Sequence, residues 1–578
     1  MKKGLACMLA FAVSLAAQSP VDSPAKPSSV SEIEQLKQML MEQQRQINEL
    51  RQKLGMPVNA GVPVNSHAGI GEVASTTPVL PPAPMEPPVF TATAPTPIPP
   101  QPGASEASCC FGLIKPGPKP GDTVWGDTSA PLELKIGDAY ITPVGFMDMT
   151  SVTRSTNTGS GIGTNFGSIP YGNTQAGALT ESRLSPQNSR IGARIDAAFH
   201  DFKVMGYWES DFLGQLSSPP NGGLAVSSNP YVFRLRVFWV DVQKGKNEFL
   251  AGQSWSLMTP NRKGISPLPA DIFYSQDVDV NYQLGLTWGR IPGFRYVYHA
   301  TDKTAFAIAL ENSEPYVGGG NGGSGVTLPA AISTTNAISG SVLGGQINNG
   351  SSQIQAAALM PDIIAKLAFD PSPRFHGEVV GVMIANKIAY PITGPAFPTT
   401  TKVGGGGSLN LGFDLVPNVR VVTNNFFSNG GGRYIFGQAP DFMIRADGTI
   451  SLIHSASTAS GLEVTAGKTL FYGYYGGVYI SKNMALDANG TTKIGYGSIA
   501  SDGQNRAIQE ITFGTNTTLA KNTKWGALNL MFQFSYLQRN PWLVTGTAPS
   551  NAHLSMGFVN LRYTLPGAPV SRGATPGK

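Results

Sequence analysis

From residue 526 the chain reads Gly526-Ala527-Leu528-Asn529-Leu530-Met531-Phe532-Gln533-Phe534-Ser535-Tyr536. Successive side chains of an extended strand point to opposite faces, so Leu528, Leu530, Phe532, Phe534 and Tyr536 share one face and Ala527, Asn529, Gln533 and Ser535 the other. The same alternation recurs upstream. From Ser189 to Phe199, Ile191, Ala193, Ile195, Ala197 and Phe199 oppose Arg190, Arg194 and Asp196. From Tyr231 to Trp239, Tyr231, Phe233, Leu235, Val237 and Trp239 oppose a set that includes Arg234 and Arg236. Leu409, Leu411, Phe413 and Leu415 alternate with Ser408, Asn410, Gly412 and Asp414. Period-two patterning of this kind runs from about Leu132 to Leu565.

A soluble sandwich alternates too, and composition separates the two cases. Charged residues make up 13% of the 578, about half the share in soluble globular proteins. That is too few to coat a soluble surface of this size. No run of about 18 apolar residues follows residue 20, which excludes a polytopic helical membrane protein. With 41% hydrophobic residues, 68 Gly, 27 Phe and 18 Tyr, the remaining solution is a transmembrane β-barrel, whose apolar residues sit at alternate positions against outer-membrane lipid. The net charge of +5, without a basic stripe of interleaved aromatics, implies no nucleic-acid partner.

Connections alternate short and long. Seven short turns are expected at His200-Asp201, Lys244-Gly245-Lys246, Asp302-Lys303, Pro371-Ser372-Pro373, Pro417-Asn418, Gly467-Lys468 and Lys521 to Lys524. Eight longer polar segments lie between them, near 155–187, 215–230, 257–277, 313–360, 386–402, 429–449, 482–505 and 540–551. Together these require 16 antiparallel strands with both chain ends on the short-turn, periplasmic side. One strand, Gln283 to His299, must run through Pro292, for which a bulge is expected. Weak patterning over 440–466 leaves 14 or 18 strands as alternatives.

Outside the barrel, residues 1–17 read as a signal peptide: Lys2 and Lys3, an apolar stretch from Leu5 to Leu15, then Ala16 and Ala17. Residues 31–54 repeat in sevens, with Ile33, Leu40, Ile47 and Leu54 at one seam position and Leu36, Gln43 and Leu50 three residues after the first three. This is an α-helical coiled coil that predicts self-association. Residues 55–131 form a Pro-rich linker, extended and semi-rigid, and 566–578 a polar tail. Cys109 and Cys110 are adjacent, which suits neither a zinc site nor a disulfide framework; they could cross-link subunits, form a strained local bridge or remain exposed thiols.

Several segments resemble the DcaP-like outer-membrane porins: Gly145-Phe146-Met147-Asp148, Ser189-Arg190-Ile191-Gly192, Phe233-Arg234-Leu235-Arg236, Gly252-Gln253-Ser254-Trp255 and Arg290-Ile291-Pro292-Gly293-Phe294-Arg295-Tyr296. The resemblance implies a 16-stranded homotrimeric porin with a periplasmic coiled coil, passing small, mostly anionic organic molecules. Where many such barrels end on an aromatic residue, here Tyr563 is followed by Thr564, Leu565 and the tail.

A 16-stranded barrel leaves an aqueous lumen, and fixed charges on its wall select ions. Arg190, Arg194, Arg234, Arg236 and Arg295, with Lys203 on a neighbouring strand, are the expected cationic ladder for carboxylates, which guanidinium groups bind bidentately. Glu209 and Asp211 share the parity of Lys203 and are expected to oppose the arginines across a transverse field. The loop Ser256 to Asp277 follows the fifth strand, where general porins carry a constricting loop, and Asn261, Arg262 and Lys263 are its candidates for the narrowest point. Trp208, Trp239, Trp288, Trp525 and Tyr563 are expected in aromatic girdles.

No catalytic residue, cofactor or metal site is expected. The six histidines, His67, His200, His299, His376, His454 and His553, have no pair at ligand spacing, and no nucleophile elbow or phosphate loop is present. The competing reading is a structural protein that tethers the outer membrane through its coiled coil, with a plugged, non-conducting barrel as its signature.

Overall fold

The computed structural model describes residue 45 and residues 134–566, apart from 215–230, 279–281, 319–324, 334–358, 390–397, 437, 499–503 and 523–524. Except for Arg45, the expected signal peptide, the coiled-coil seam, the linker with Cys109 and Cys110, and the tail beyond 566 lie outside the described residues. All the strands belong to one compact unit, Gly103–Lys578.

The strands are β1 Leu134–Ile136, β2 Ala139–Arg154, β3 Glu181–Ser185, β4 Arg190–Phe199, β5 Phe202–Gly214, β6 Val232–Lys244, β7 Asn247–Trp255, β8 Arg290–Thr301, β9 Thr304–Glu311, β10 Asp362–Ser372, β11 Phe375–Ala389 and β12 Thr399–Val416. They continue with β13 Val419–Asn429, β14 Phe442–Ile444, β15 Ile450–Leu452, β16 His454–Ala466, β17 Thr469–Ile480, β18 Asn483–Leu486, β19 Lys493–Tyr496, β20 Asn505–Asn522, β21 Gly526–Pro541 and β22 Ala552–Thr564. The hairpins β14–β15 and β18–β19 lie outside the main sheet of 18 segments. In that sheet β3 pairs with the far half of β2 and β4 with its near half, so the two are parts of one stave interrupted at 186–189. The three-residue β1 pairs only with β2. Among the described residues this leaves sixteen antiparallel staves, closed where β22 pairs with β2 from Phe146↔Thr564 to Arg154↔Met556. All seven expected short turns join neighbouring staves. Left-handed backbone makes several of them tight, with φ of 57° at Gly245 and 69° at Asn418.

Alternation sorts side chains as anticipated. Ile191, Leu235, Leu409, Phe513 and Phe534 are exposed on the outside, while Arg190, Glu209, Asn410, Glu510 and Ser535 are buried inside. One face needs correcting. The β5–β6 register passes from Glu209↔Val237 to Ser210↔Leu235, leaving Arg236 as the extra residue of a β-bulge. Beyond it the parity flips, so Val237 and Trp239 turn inward, each at most 3% exposed, and Phe238 and Val240 take the lipid side. Trp239 stacks on Tyr207, ring centroids 5.4 Å apart, and is no girdle residue. Nor is Trp288, which lies buried in the loop before β8. Trp525 is exposed, and Tyr563 donates to its carbonyl.

β8 starts at Arg290, not Gln283, and passes Pro292 without a bulge, in register with Gln253. The Pro292 carbonyl accepts from Asn312 N just past the end of β9. N–H and C=O of one strand residue point to the same side, so the missing donor would have served only a residue beyond that strand. The loop expected over 386–402 shrinks to 390–398 because β11 and β12 run on, Ala389 pairing with Thr399.

Phe513 lies midway along β20 and is 60% exposed. Phe513→Arg should lower unfolding stability in lipid vesicles by about 2–4 kcal/mol, the cost of a mid-bilayer cation on a barrel's lipid face; an unchanged denaturant midpoint would place Phe513 away from lipid.

Candidate functional site: the barrel lumen

The expected basic residues separate into a compact wall and outlying positions. On the inner face of β4, β5 and β6, Arg190, Asp211 and Arg234 are direct cross-strand partners. Asp211 receives Arg234 through Nε at 2.9 Å and Nη2 at 2.6 Å, and Arg236 Nη1 at 2.5 Å. Glu209 receives Arg236 Nε at 2.8 Å and lies 3.3 Å from Arg190 Nη1. The Arg236 bulge makes this possible, because it places one guanidinium between the two carboxylates. Glu209 and Asp211 therefore sit among the arginines on one wall and do not face them across the lumen, which removes the transverse field expected from parity. A glycine brings the wall close to the barrel seam. At Gly145, with φ of +132°, an added Cβ would lie 2.3 Å from the Arg190 carbonyl. Next to it the Phe146 ring lies 5.1 Å from the Arg190 guanidinium and 4.4 Å from that of Arg562.

Arg194 lies further along the same wall, on Asp196 at 2.8 Å. Lys203 is exposed near the turn end of β5, opposite Gln243. Arg295 on β8 is held by Ser254 and by the Trp255 carbonyl. The partners named for these three are groups other than Glu209 and Asp211.

The loop after β7 runs to residue 289, beyond the expected Asp277, and folds into the barrel. Among its described residues the backbone joins no strand and makes only isolated bridges, Gln276 with Tyr282 and Trp288 with Ile435, and a buried loop must find its other donors and acceptors elsewhere. Inward-facing side chains of the staves supply them. Leu257 N donates to Glu311, Asn261 N to Glu378, Gly264 N to Asp370, and Thr287 N to Asn424. Arg262 donates to the Asp271 and Ile272 carbonyls and forms a bidentate pair with Glu463 of β16, at 2.5 and 2.8 Å. Its guanidinium lies 4.9 Å from the Tyr274 ring centre. Arg262 is thus an anchor on the far wall, whereas neighbouring Lys263 is exposed.

Further on, Gln276 N donates to Gln533, and Gln276 Oε1 accepts from Arg562 at 3.1 Å. Asp277 accepts from Gln533 and Ser535, and burial pushes its carboxyl up to about 7 against those bonds. Other loops meet this one inside the barrel. Thr164 N donates to the Asp277 carbonyl, and the Tyr282 and Phe436 rings lie 4.2 Å apart. Arg433 fixes the loop after β13 through Asp441 at 2.8 Å and Asp362 at 3.2 Å.

The sequence reading missed the receiving groups: Glu311, Glu378, Glu463, Glu510 and Asp362. Their signal was available, since each is an acid at an inward position of a strand in a chain poor in charge, as in Leu462-Glu463-Val464 and Gln509-Glu510-Ile511.

No family model and no curated protein matches the sequence. Among solved structures the chain is similar to the outer membrane channel DcaP of Acinetobacter baumannii, with a TM-score of 0.51 at 14% identity over 75% of this chain and 99% of that one. The outer membrane protein OmpT of Vibrio cholerae and OmpF of Salmonella typhi both align with a TM-score of 0.38, at 10% and 9% identity, over 75% of this chain and 99% and 100% of theirs. The likeness to DcaP shows the fold, a closed antiparallel β-barrel, and agrees with the resemblance carried by the first-half motifs.

Removing one partner of a buried ion pair strands the other charge. Glu463→Gln should cost about 3–5 kcal/mol of unfolding stability, and the double variant Arg262→Gln with Glu463→Gln should recover most of it. A denaturant series in lipid vesicles checks both; equal losses in the single and double variants would mean that Arg262 does not depend on Glu463.

Proposed function

We propose that the protein is an outer-membrane porin through which small hydrophilic solutes, carboxylates above all, diffuse passively, acting as a homotrimer with its coiled coil in the periplasm. The observation that carries this reading is the inward cluster on β4–β6, where Arg190, Arg234 and Arg236 share two carboxylates, Glu209 and Asp211. Three cations less two anions leave one positive charge in the cluster, and Arg194 with Asp196 adds none. The carboxylates orient the guanidinium planes before any solute arrives. An entering carboxylate can replace Glu209 or Asp211 at one edge while the remaining anion holds the others, so binding is brief and exchange continues along the wall. The closed barrel and the likeness to a structure described as an outer membrane channel support the location and the passive mode. The heptad seam from Ile33 to Leu54 supports self-association.

A second reading is favoured by one observation. Phe166, Tyr274, Tyr282, Trp288, Tyr434 and Phe436, all from loops, are buried among the staves. A barrel so filled would suit a structural tether between outer membrane and periplasm.

Single-channel recording in a planar bilayer under a salt gradient separates the two. Three-step closure with an anion-selective reversal potential supports the porin; absence of conductance from folded protein supports the tether. In Arg234→Ala with Arg236→Ala the cluster balance changes from three minus two to one minus two, so selectivity should move toward cations. Unchanged selectivity in that variant would remove the cluster from the permeation path.

A further inference from the structure

The outer face of β4–β8 carries a trough that ends on a basic rim. Side chains directly opposite one another across an antiparallel ladder share a face, and one lipid-side rung runs Ile195, Gly206, Val240, Ala251, Phe294. Its ends are large and its middle is small. Ile195, Val240 and Phe294 are exposed, and between them Gly206 and Ala251 leave a groove of about 960 Å³. Phe238 and Leu310 add to its walls, and no charged side chain among the described residues lines it. The next rung toward the short turns, Ala197, Val204, Val242, Phe249, Tyr296, repeats the pattern, with small side chains on β4–β6 and rings on β7 and β8. The trough therefore continues, flanked by the exposed Phe199 and Phe249, to the turn end of the staves.

Where it ends, charge replaces hydrocarbon. Lys244 and Asn247 lie opposite one another across the Gly245-Lys246 turn, and Lys244 has the parity of the outward Val240 and Val242. Its Nζ is 4.6 Å from the centre of the Phe202 ring, which stacks on Phe199 at 6.2 Å. Tyr296 Oη donates to Asn247 Oδ1 at 2.6 Å, so the Asn247 carbonyl is occupied and its amide nitrogen is turned to donate. Lys246, on the same turn, donates from Nζ to the Ala300 carbonyl at 2.7 Å. The ion pair of Lys244 with Asp201 is long, 3.6 Å, with side chains 54% and 78% exposed. Such a pair is worth little in water and yields to a stronger anion.

An ammonium and an amide at the polar edge of an apolar trough match the two parts of an anionic phospholipid, its phosphodiester and its acyl chain. From Lys244 to Phe238 the stave advances six residues, about 20 Å along the strand. At a tilt of about 40° this covers about 15 Å of depth, half of a hydrocarbon core. A chain from one leaflet thus fits the trough from rim to midplane.

We propose that Lys244 and Asn247, with the trough over Gly206 and Ala251, form a binding site for one anionic phospholipid, its phosphodiester at the β6–β7 turn and one acyl chain along β5–β7.

The charge at the rim selects this occupant. A second copy of the chain could fill the trough with side chains but would leave the ammonium and the amide without use, and a free phosphate would leave the trough empty. The site requires only that this face meets lipid, so it does not depend on conduction.

Native mass spectrometry of the protein in detergent, titrated with phosphatidylglycerol or with diacylglycerol of the same chains, tests both halves. Wild-type protein should hold phosphatidylglycerol more tightly. Lys244→Gln should weaken that lipid by about fivefold, the contribution of one cation at a membrane surface, and leave diacylglycerol unchanged; Lys244 is exposed, so the variant keeps the fold. Gly206→Leu should weaken both lipids by about tenfold, through the loss of about two buried methylenes. A Cβ at 206 comes no closer than 3.5 Å to Ile195, which is ordinary contact. Equal binding of the two lipids by wild-type protein, or phosphatidylglycerol binding unchanged in Lys244→Gln, would overturn the site. So would inorganic phosphate bound as tightly as the lipid, which would make the turn a free-anion site. Loss of the oligomer in Gly206→Leu with lipid binding intact would overturn it too, and make the trough a subunit interface. Protein that carries the lipid but passes no current would retain the site and remove the porin.

Discussion

Everything inside the barrel hangs on the register in which the last stave meets the first. In hydrocarbon no water can satisfy an open strand edge, so a spanning sheet must close on itself. Pairing of β2 with β22 sets Asp148 opposite Arg562 and Thr150 opposite Asn560. Asp148 accepts from Arg562 at 2.8 Å, from Thr150 at 2.6 Å and from Asn560 at 3.1 Å. A slip of one residue would turn this polar set to lipid and Met147, Met149 and Leu561 to the lumen. The seam is therefore specified by its inward side chains as well as by its backbone. Because Arg562 also holds Gln276, the same register fixes where the lumen-crossing loop lands.

The low charge content and the filled interior have one cause. A barrel of this kind coats itself with apolar side chains and keeps charge for the inside, where an unpaired charge is costly. Loops that enter must bring groups to match. The segment 256–289 does so stave by stave, meeting Glu311, Glu378, Glu463, Glu510, Gln533 and Arg562 around the wall. Acids placed singly on strands serve as sockets for backbone amides, which water cannot reach once the loop is seated. This spreads the attachment over many staves, so that one altered socket loosens the loop locally.

What could be read from sequence was the part governed by period two and by turn chemistry. The Leu409 and Leu528 strands alternate plainly, and turns such as Pro417-Asn418 limit their neighbours, so sixteen staves followed. The β16 stave was hard to see because Ser455, Ala456, Ser457, Thr458, Ala459 and Ser460 alternate in small residues that differ little in hydropathy. Trp239 was misplaced because a bulge leaves no mark on a pattern until the partner strand is known. Arginines four residues or two strands apart could be assigned to one wall by parity, but their bonds to Glu209 and Asp211 depend on that same bulge. The loop's route was illegible, since Arg262 and Glu463 lie 201 positions apart and nothing in the intervening sequence links them.

Pairing of the wall arginines does not silence them. A solute in the lumen feels the net charge of a cluster once it is further away than the spacing within the ion pairs, and in a lumen walled by low-dielectric protein that field decays slowly. On the far wall Arg262 is matched by Glu463, so the loop adds little net charge at its anchor, and the exposed Lys263 adds a cation. The wall of β4–β6 carries one excess cation of its own. Both contributions have the same sign, and this is the charge pattern on which the proposed preference for anions rests; Arg234 meets Asp211 with two nitrogens, whereas Arg236 bridges Glu209 and Asp211.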